Sequence, residues 1–488
     1  MSPYTFMENQ HHIHVSSEVG ILKRLLIHSP DEGIGKVIPT KAQDWLFEDI
    51  IHVDTMRKKE YDLYLKILLY FLDYEKIHSQ INTIDLPESQ RHFYKPDKEN
   101  YFESDKVIEP QRLLAHLLES KDLKQRMIAS ICAHEGTAYS LQAELMELDN
   151  SVLARVMISG ILPDKRMIFP PIPNFIFTRD IGITVNDHIL LNKPKKKART
   201  RESIIMKYIF FNHPMFKEYT SNIIEINDPE DFFLLDEDEQ EKKIVTIEGG
   251  DVMMVAPNHL LVGVSERTSI HAASKVIQLM HERDIVEKVT IVKIPAKRAY
   301  MHIDTTFTQV KRNMWVIFGS FSKEGLKQEK GDYISSLGGS KSENEIEILQ
   351  YIKGRSYDDP IQFDYLEDLL NDISVTDLKS EEKTKFIYSG DNEFPHGRRE
   401  QWTDSCNVLA LKEGVVIGYD RNDKTSKGFQ KQGIKVVKAA ELLDKFKNEE
   451  LHPSEVKDTL ILLPSAELSR ARGGSHCMSM PLLRTPLW

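Results

Sequence analysis

Cys477 lies in the segment Arg472-Gly-Gly-Ser-His-Cys-Met-Ser-Met-Pro481, close to the C-terminus. Arg472 and His476 could favour the thiolate, the nucleophilic form of cysteine. The paired glycines let backbone approach a ligand closely. Taken alone, the segment fits a buried structural thiol equally well, because free cysteine is among the most buried residue types. Five further segments carry groups that could work with it: Phe177-Thr-Arg-Asp180, Ala198-Arg-Thr-Arg-Glu202, Glu248-Gly-Gly-Asp251, Ser265-Glu-Arg-Thr268 and Met301-His-Ile-Asp-Thr305. Each has an ordinary reading as a turn, a cap, a core histidine or a surface arginine. As a set they describe one chemical task. Carboxylates grip a planar cation through paired, charge-assisted hydrogen bonds, a thiolate attacks its central carbon, and a histidine with a glutamate moves protons near neutral pH. The arginines hold an anionic end of the same molecule. A molecule with a guanidinium at one end and a carboxylate at the other is arginine.

These groups must be positioned by the elements around them, and the texture of the chain changes along its length. A β-rich run at 25–28 is broken by Ser29-Pro30-Asp31-Glu32-Gly33, a turn signal. Tyr61, Leu65, Leu68, Leu69 and Leu72 have helical spacing, which predicts a helix over 54–74. The stretch 111–160 is strongly helical, with Leu113, Leu114, Leu117 and Leu118 and then Leu141, Leu145 and Leu148 recurring on one face. After Phe169-Pro-Pro-Ile-Pro173 come short strand-like segments at 175–177, 181–185, 188–191, 252–255 and 260–264, the last two flanking a hairpin loop at Ala256-Pro-Asn-His259. Helices are expected at 201–211 and 270–283, and strand and helix alternate again over 289–318 and 407–443. The fold class is α/β. The acidic run 228–243 and the long charged stretch 321–385, which contains Gly338-Gly339, read as insertions facing solvent.

Composition excludes several classes. With 488 residues, 41% hydrophobic and 28% charged, the chain can bury a sizeable core. A formal net charge of −11 argues against general nucleic-acid binding. Lys193, Lys195, Lys196 and Lys197 read as a solvated loop. Three cysteines, Cys132, Cys406 and Cys477, form no disulfide framework and no CxxC motif, so a reducing compartment is expected. No signal-peptide pattern opens the chain and no apolar run is long enough to span a bilayer, so a cytoplasmic location without membrane contact is expected. His11, His12 and His14 contain an H-x-H pair that can bind metal, although a mobile polar arm is the commoner meaning of such a tract.

The order of the motifs resembles arginine deiminase, a family of the pentein (guanidino-group-modifying) superfamily. The resemblance starts at Ser17-Glu-Val-Gly-Ile-Leu-Lys-Arg-Leu-Leu-Ile-His28 and runs through Leu46-Phe-Glu-Asp-Ile50, Pro171 to Asp180, the segments above, Gln401-Trp-Thr-Asp404 and Gly414 to Asn422 to the terminal cysteine motif. It implies an α/β propeller of ββαβ repeats with pseudo-fivefold symmetry. One catalytic domain, 1–488, would be interrupted by a helical insertion at about 100–165, with extra surface insertions at 228–243 and 321–385. It implies hydrolysis of L-arginine to L-citrulline and ammonia through a covalent thiouronium intermediate. Cys477 would be the nucleophile, Asp180 and Asp304 would hold the guanidinium nitrogens, and Glu248 and His302 would handle protons. Arg199, Arg267 and Arg472 would engage the substrate carboxylate, with Asn174 and the backbone near Gly474 seating the substrate. No metal or organic cofactor is implied, and a homodimer is the expected assembly. Other penteins, an amidinotransferase or a methylarginine hydrolase, share much of this chemistry. A non-catalytic arginine-binding protein is the remaining alternative. The excess length between Asp304 and Cys477, and the Ile-Gly-Ile after Asp180, depart from the family pattern.

Overall fold

The computed structural model describes residues 12–488 except 48, 85, 88–91, 99 and 331–345. His11, Gly338 and Gly339 lie outside the described residues. The strands fall into five separate sheets, and the same ββαβ order recurs in them.

The first strand, β1 (Leu22–Leu26), pairs in parallel with β2 (Val107–Ile108). Between them runs the helical stretch from Val53 to Leu72, whose last part, Asp62–Leu72, buries Leu65, Leu68, Leu69 and Leu72 as their spacing predicts. In the next unit, β3 (Gly182–Val185) and β4 (His188–Leu191) form a hairpin, the helix Thr200–Asn212 follows, and β5 (Ile223–Ile224) returns parallel to β4. The third unit repeats this with β6 (Val252–Ala256), β7 (His259–Val264), the helix Ile270–Glu282 and β8 (Lys288–Lys293). Every residue of β6 and β7 is buried, which explains why they read as continuous apolar runs and not as alternating ones. Ser269 caps the following helix by accepting from the Ala272 amide.

A fourth unit contains β9 (Phe307–Lys311), β10 (Met314–Ile317) and, parallel to β10, β13 (Lys385–Tyr388). Ahead of β13 two strands, β11 (Glu347–Ile352) and β12 (Ile361–Phe363), extend the third sheet beyond β8. The fifth sheet has the order β14 (Leu409–Lys412), β15 (Val415–Tyr419), β17 (Thr459–Leu463), β16 (Lys435–Lys438). The last strand, β18 (Met480–Arg484), pairs antiparallel with β1 and completes the first unit from the far end of the chain.

Four helices, Pro110–Leu117, Lys121–Glu135, Ser140–Met146 and Asn150–Ser159, lie between the first and second units. Pro110 occupies the first turn of its helix, and Ser120 caps the next, which ends at left-handed Gly136. Leu114, Leu117, Ile128, Ile131, Leu153 and Met157 join the core that includes Ile205 and Ile209 of the second unit.

Two expectations are corrected. Residues 175–177 are not a strand: Phe175 and Ile176 end one tight helical turn, Pro173–Ile176, and Phe177 joins it to the next, Thr178–Ile181. Aromatic residues favoured the strand reading, but Pro173 starts a turn that ends by aiming Asp180 inward. Nor does 321–385 simply face solvent, because Ile348, Leu366, Leu369, Leu370 and Ile373 are buried in the core of the third and fourth units. By contrast the helix Glu237–Lys243 in the acidic run has no buried residue. Lys193 pairs with Asp228, so that lysine is less solvated than its cluster suggested. Among the described residues no helix is long and apolar enough to cross a membrane. Cys132, Cys406 and Cys477 are all free thiols.

Candidate active site

The groups singled out for chemistry stand at matching places in the five units. Asp180 lies in the turn just before β3, Glu248 just before the turn that leads into β6, and His302 and Asp304 just before β9. Asp404 and Asn407 precede β14, and Cys477 precedes β18. In each case a tight turn hands the chain to a buried strand, which fixes the direction of the side chain ahead of it. Asn174, Asp180, Arg199, Glu248, Arg267, His302, Arg472 and Cys477 line one cavity, together with Leu46, Phe177, Met301, Thr305 and Ala471. The cavity is narrow, about 30 Å³, room for little more than a water.

Cys477 is buried, and its thiol donates to Asp304 Oδ2 at 3.5 Å. Its backbone is clamped on both sides: its N–H donates to Asn407 Oδ1 at 3.0 Å and its carbonyl accepts from the Arg179 amide at 3.0 Å. The Asn407 amide also donates to the Asp304 carbonyl at 3.1 Å, so one side chain ties nucleophile to carboxylate. Asp304 itself is fully buried. Its Oδ2 pairs with His476 Nδ1 at 2.9 Å, and its Oδ1 has no hydrogen-bond partner among the described residues. His476 reaches on to Glu18 at 3.2 Å, and Glu18 is paired with Arg179 at 2.7 Å. His476, despite its place beside the thiol in sequence, is thus committed to positioning Asp304.

His302 Nε2 lies 3.0 Å from Glu248 Oε2, and Nδ1 lies 4.0 Å from Asp180 Oδ1. The chain comes close here because of Gly250: a β-carbon at that position would sit 2.4 Å from His302 Nδ1. Below, Asp251 accepts from Ser265 Oγ at 2.6 Å and from the Ile303 amide at 3.0 Å, which anchors the turn that carries both His302 and Asp304.

Burial disfavours every charge in this site, and the partners decide which charges survive. For the Cys477 thiol nothing offsets burial. Asp304, Asp180 and Asp404 add to it, and the pKa is pushed well above the usual thiol value. His302 goes the other way: burial opposes its charge, but Asp180, Glu248 and Asp251 outweigh that and raise the imidazolium to about 10. Burial would raise Glu248 as well, yet Arg199, His302 and Arg267 hold it well below the usual carboxylate range. Asp304 is lowered against burial by His476. Asp251, Asp404 and Glu202 are raised, to about 6, 7 and 7, by burial first. The site at rest therefore combines a neutral thiol, a protonated imidazole and an excess of carboxylate.

The arginines divide. Arg199 does not stand open to an anion: its Nη1 donates to Asp180 Oδ2 at 2.9 Å and to Glu248 Oε2 at 3.1 Å, while Nε and Nη2 bind Glu202 Oε2 at 3.0 and 2.9 Å. Three buried carboxylates surround one guanidinium, so in this structure the charge expected to meet a substrate carboxylate is paired inside the protein. Arg267 Nη1 is 3.8 Å from Glu248 Oε1 and Nε is 2.6 Å from Glu266. Arg472, with left-handed backbone, stacks its guanidinium 3.5 Å from the ring centre of Trp402 and donates to the Ala299 carbonyl at 3.4 Å. Asn174, which lines the cavity, donates from Nδ2 to the Trp45 carbonyl at 2.9 Å. Gly474 is not among the residues that line the cavity. Its missing β-carbon lets the chain lie against Asn407, whose carbonyl oxygen would be 2.4 Å from such an atom.

Asn407, Glu18 and Asp251 carry structural work that motif reading left without a role. Asp404 ends the Gln401-Trp-Thr-Asp404 motif, and Gln401 donates to the Ala299 and Thr305 carbonyls at 2.9 and 3.2 Å. A signal was present, since a run of polar residues directly ahead of an apolar strand repeats the pattern seen before β3, β6 and β9.

The chain is similar to known proteins over most of its length. The family model described as arginine deiminase matches residues 43–442. An arginine deiminase of Borrelia garinii subsp. bavariensis is 29% identical over 477 residues, covering 97% of this chain and 98% of its own. An arginine deiminase of Staphylococcus aureus is 27% identical over 496 residues, with 97% and 98% covered. Among solved structures, an amidinotransferase of saxitoxin biosynthesis from Microseira wollei aligns over 97% of both chains with a TM-score of 0.45 and 11% identity.

Proposed function

The chain belongs to the arginine deiminase family, and from that premise we propose that its cavity converts L-arginine and water to L-citrulline and ammonium through a covalent adduct on Cys477. The observation that carries this is the buried Cys477 thiol 3.5 Å from Asp304, in a cavity shared with Asp180, Glu248 and His302 and edged by Arg267 and Arg472. Asp180 and Asp304 hold the guanidinium nitrogens, and the orphaned Oδ1 of Asp304 gains a donor when they arrive. Guanidinium binding releases the thiol proton to solvent, and the thiolate attacks the guanidinium carbon, forming a C–S bond. The C–N bond to one terminal nitrogen then breaks, and that nitrogen leaves as ammonia with the proton given by His302. His302, now neutral beside Glu248, takes a proton from water. The hydroxide adds to the adduct carbon, the C–S bond breaks as the second water proton passes to sulfur, and citrulline departs, while the released ammonia takes up a solvent proton as ammonium. Arg267 and Arg472 fix the substrate carboxylate, with Asn174 beside it. Glu248 keeps its charge throughout and steadies the imidazolium.

The test is citrulline and ammonium release from L-arginine, measured across mildly acidic to mildly basic pH. Equal amounts of the two products, without any acceptor amine, are expected. Product that appears only when an acceptor amine is added would make this an amidinotransferase, and no product at any pH would overturn the proposal.

The same proposal accounts for the thiol. A buried sulfur among carboxylates stays protonated in the free protein. A bound guanidinium adds a positive charge next to it and offsets both burial and Asp304. A non-hydrolysable guanidinium analogue is expected to lower the thiol's apparent pKa by at least about 1 unit, followed by ultraviolet thiolate absorbance against Cys477→Ala. An unchanged midpoint counts against substrate-assisted activation. Gly250→Ala gives a geometric check. The added methyl must displace the imidazole, and a shift of that size costs about 100-fold in kcat. A variant with unchanged kcat would mean that His302 need not stay where it is.

On the larger scale we propose that the five ββαβ units surround a common axis as a pentein propeller. The helices at 110–159 are then an insertion between the first and second units of one catalytic domain, 1–488.

A further inference from the structure

Away from the cavity, a second group of metal-ligating side chains is assembled from segments distant in sequence. His12, His14 and Asp187 each offer one ligand atom, and the three atoms lie within 4.8 Å of one another. His12 and His14 are two apart on an extended segment, so their rings emerge on the same side. The rings are stacked 6.0 Å apart and within 9° of parallel. Asp187 stands at the tip of the β3–β4 hairpin, after Asn186 in left-handed conformation, and its Oδ1 is 2.7 Å from His14 Nδ1.

The surroundings hold these groups in place. Val15 and Asn186 exchange backbone hydrogen bonds of 3.0 and 2.8 Å, which fixes the histidine segment against the hairpin. Tyr219 sets the His12 ring: its hydroxyl accepts from the Ile13 amide at 3.0 Å and lies 3.1 Å from His12 Nδ1. Asn222 donates to the Asp187 carbonyl at 3.0 Å. Oriented imidazoles with hydrogen-bonded neighbours are what metal sites use to preset their ligands. All three residues are only partly buried, so solvent can complete a coordination shell.

We propose that His12, His14 and Asp187 bind one divalent cation of the zinc class, in place of the proton now held between His14 and Asp187. Two imidazoles and one carboxylate suit zinc, cobalt, nickel or copper better than calcium or magnesium, which prefer all-oxygen sites. Ligand bonds of about 2.0–2.2 Å put neighbouring ligand atoms roughly 3.4 Å apart in a tetrahedral shell. The widest separation, at most 4.8 Å, therefore closes by about an ångström while the 2.7 Å His14–Asp187 pair opens by less than that, a side-chain adjustment. The consequence is mechanical. His14 bridges to Leu483 of β18, and Asp187 belongs to the hairpin that begins directly after Asp180. The ion would pin the strand that follows the nucleophile to the unit that supplies a guanidinium carboxylate.

The buried trio Asp180, Glu248 and His302 meets the same distance condition. It is less suited to an ion, because Arg199 already sits between its two carboxylates. The test uses the full chain, stripped with a chelator and titrated with Zn²⁺ alone, read by calorimetry, by metal content after desalting and by melting temperature. One zinc per chain and a raised melting temperature are expected. Asp187→Asn, which keeps size and a hydrogen bond to His14, should weaken zinc binding at least about 10-fold, with circular dichroism unchanged. His14→Gln should do the same. The proposal is overturned if no stoichiometric zinc binds or if binding survives both substitutions. Zinc that survives them and is displaced by L-arginine belongs to the catalytic trio and overturns it equally.

Discussion

Cys477→Ala is expected to lower citrulline formation by at least about 10⁴-fold while leaving the fold and arginine binding in place. No other group in the cavity can replace the thiol. Cys406 is buried elsewhere, in the core of the third and fourth units, and burial raises its pKa to about 12. The carboxylates Asp180 and Asp304 stay where they are, because each is held by partners other than sulfur: Arg199 and the Gly250 amide for one, His476 for the other. The variant should therefore bind arginine about as tightly as the parent, by calorimetry, and release no product. Cys477→Ser should be similarly inactive, since a hydroxyl is far harder to ionise than a thiol in this carboxylate-rich, buried setting. Measurable turnover by Cys477→Ala, above about one part in a hundred, would remove covalent catalysis from the account.

His302→Asn is the second large effect, and it should differ in kind. General acid–base groups contribute about 10²–10⁴-fold, and the loss here should fall on both halves of the reaction. The first half loses the proton delivered to departing ammonia. The second loses the base that activates water, so protein that does react should stall as a thiouronium adduct, visible as a mass increase on the peptide carrying Cys477. A slow variant with no adduct under any quench would place water activation elsewhere. The same residue has a signature in stability. Its folded pKa of about 10 is raised above the ordinary histidine value, so the imidazolium's contribution is complete below about 6.5 and fades as pH rises towards 10. Urea midpoints of parent and His302→Asn should therefore converge as the pH is raised through that window.

How far the sequence discloses this site depends on the residue. Cys477, Asp180, Glu248 and His302 could be proposed together because each sits in a short polar motif ahead of an apolar strand, and the structure puts them around one cavity. Arg199 could not be placed by type alone. A buried guanidinium takes whichever carboxylate is nearest, and Glu202, three residues on at the start of a helix, was the readable hint. Asn407 escaped notice because it acts through backbone, holding the Cys477 amide and the Asp304 carbonyl. The stretch 346–378 looked like surface because its charges mask a helical apolar pattern, Leu366, Leu369, Leu370 and Ile373, that packs into the core. The division of the strands into five sheets was invisible to periodicity, since some strands, such as Ile223–Ile224, are only two residues long.

The pairing of β18 with β1 sets the order in which this protein can become reactive during its own synthesis. Leu22 lies opposite Arg484, so the two strands of one hairpin are separated by almost the entire chain. A ribosome making the protein exposes every carboxylate and the imidazole of the cavity before it exposes the sulfur. The last strand must leave the exit tunnel, find a partner made far earlier and seat Cys477 in the same step. Partly made chains and chains clipped near the C-terminus thus lack Cys477 together with β18. The first sheet is completed only when this last strand pairs with the first, and the sulfur arrives with it.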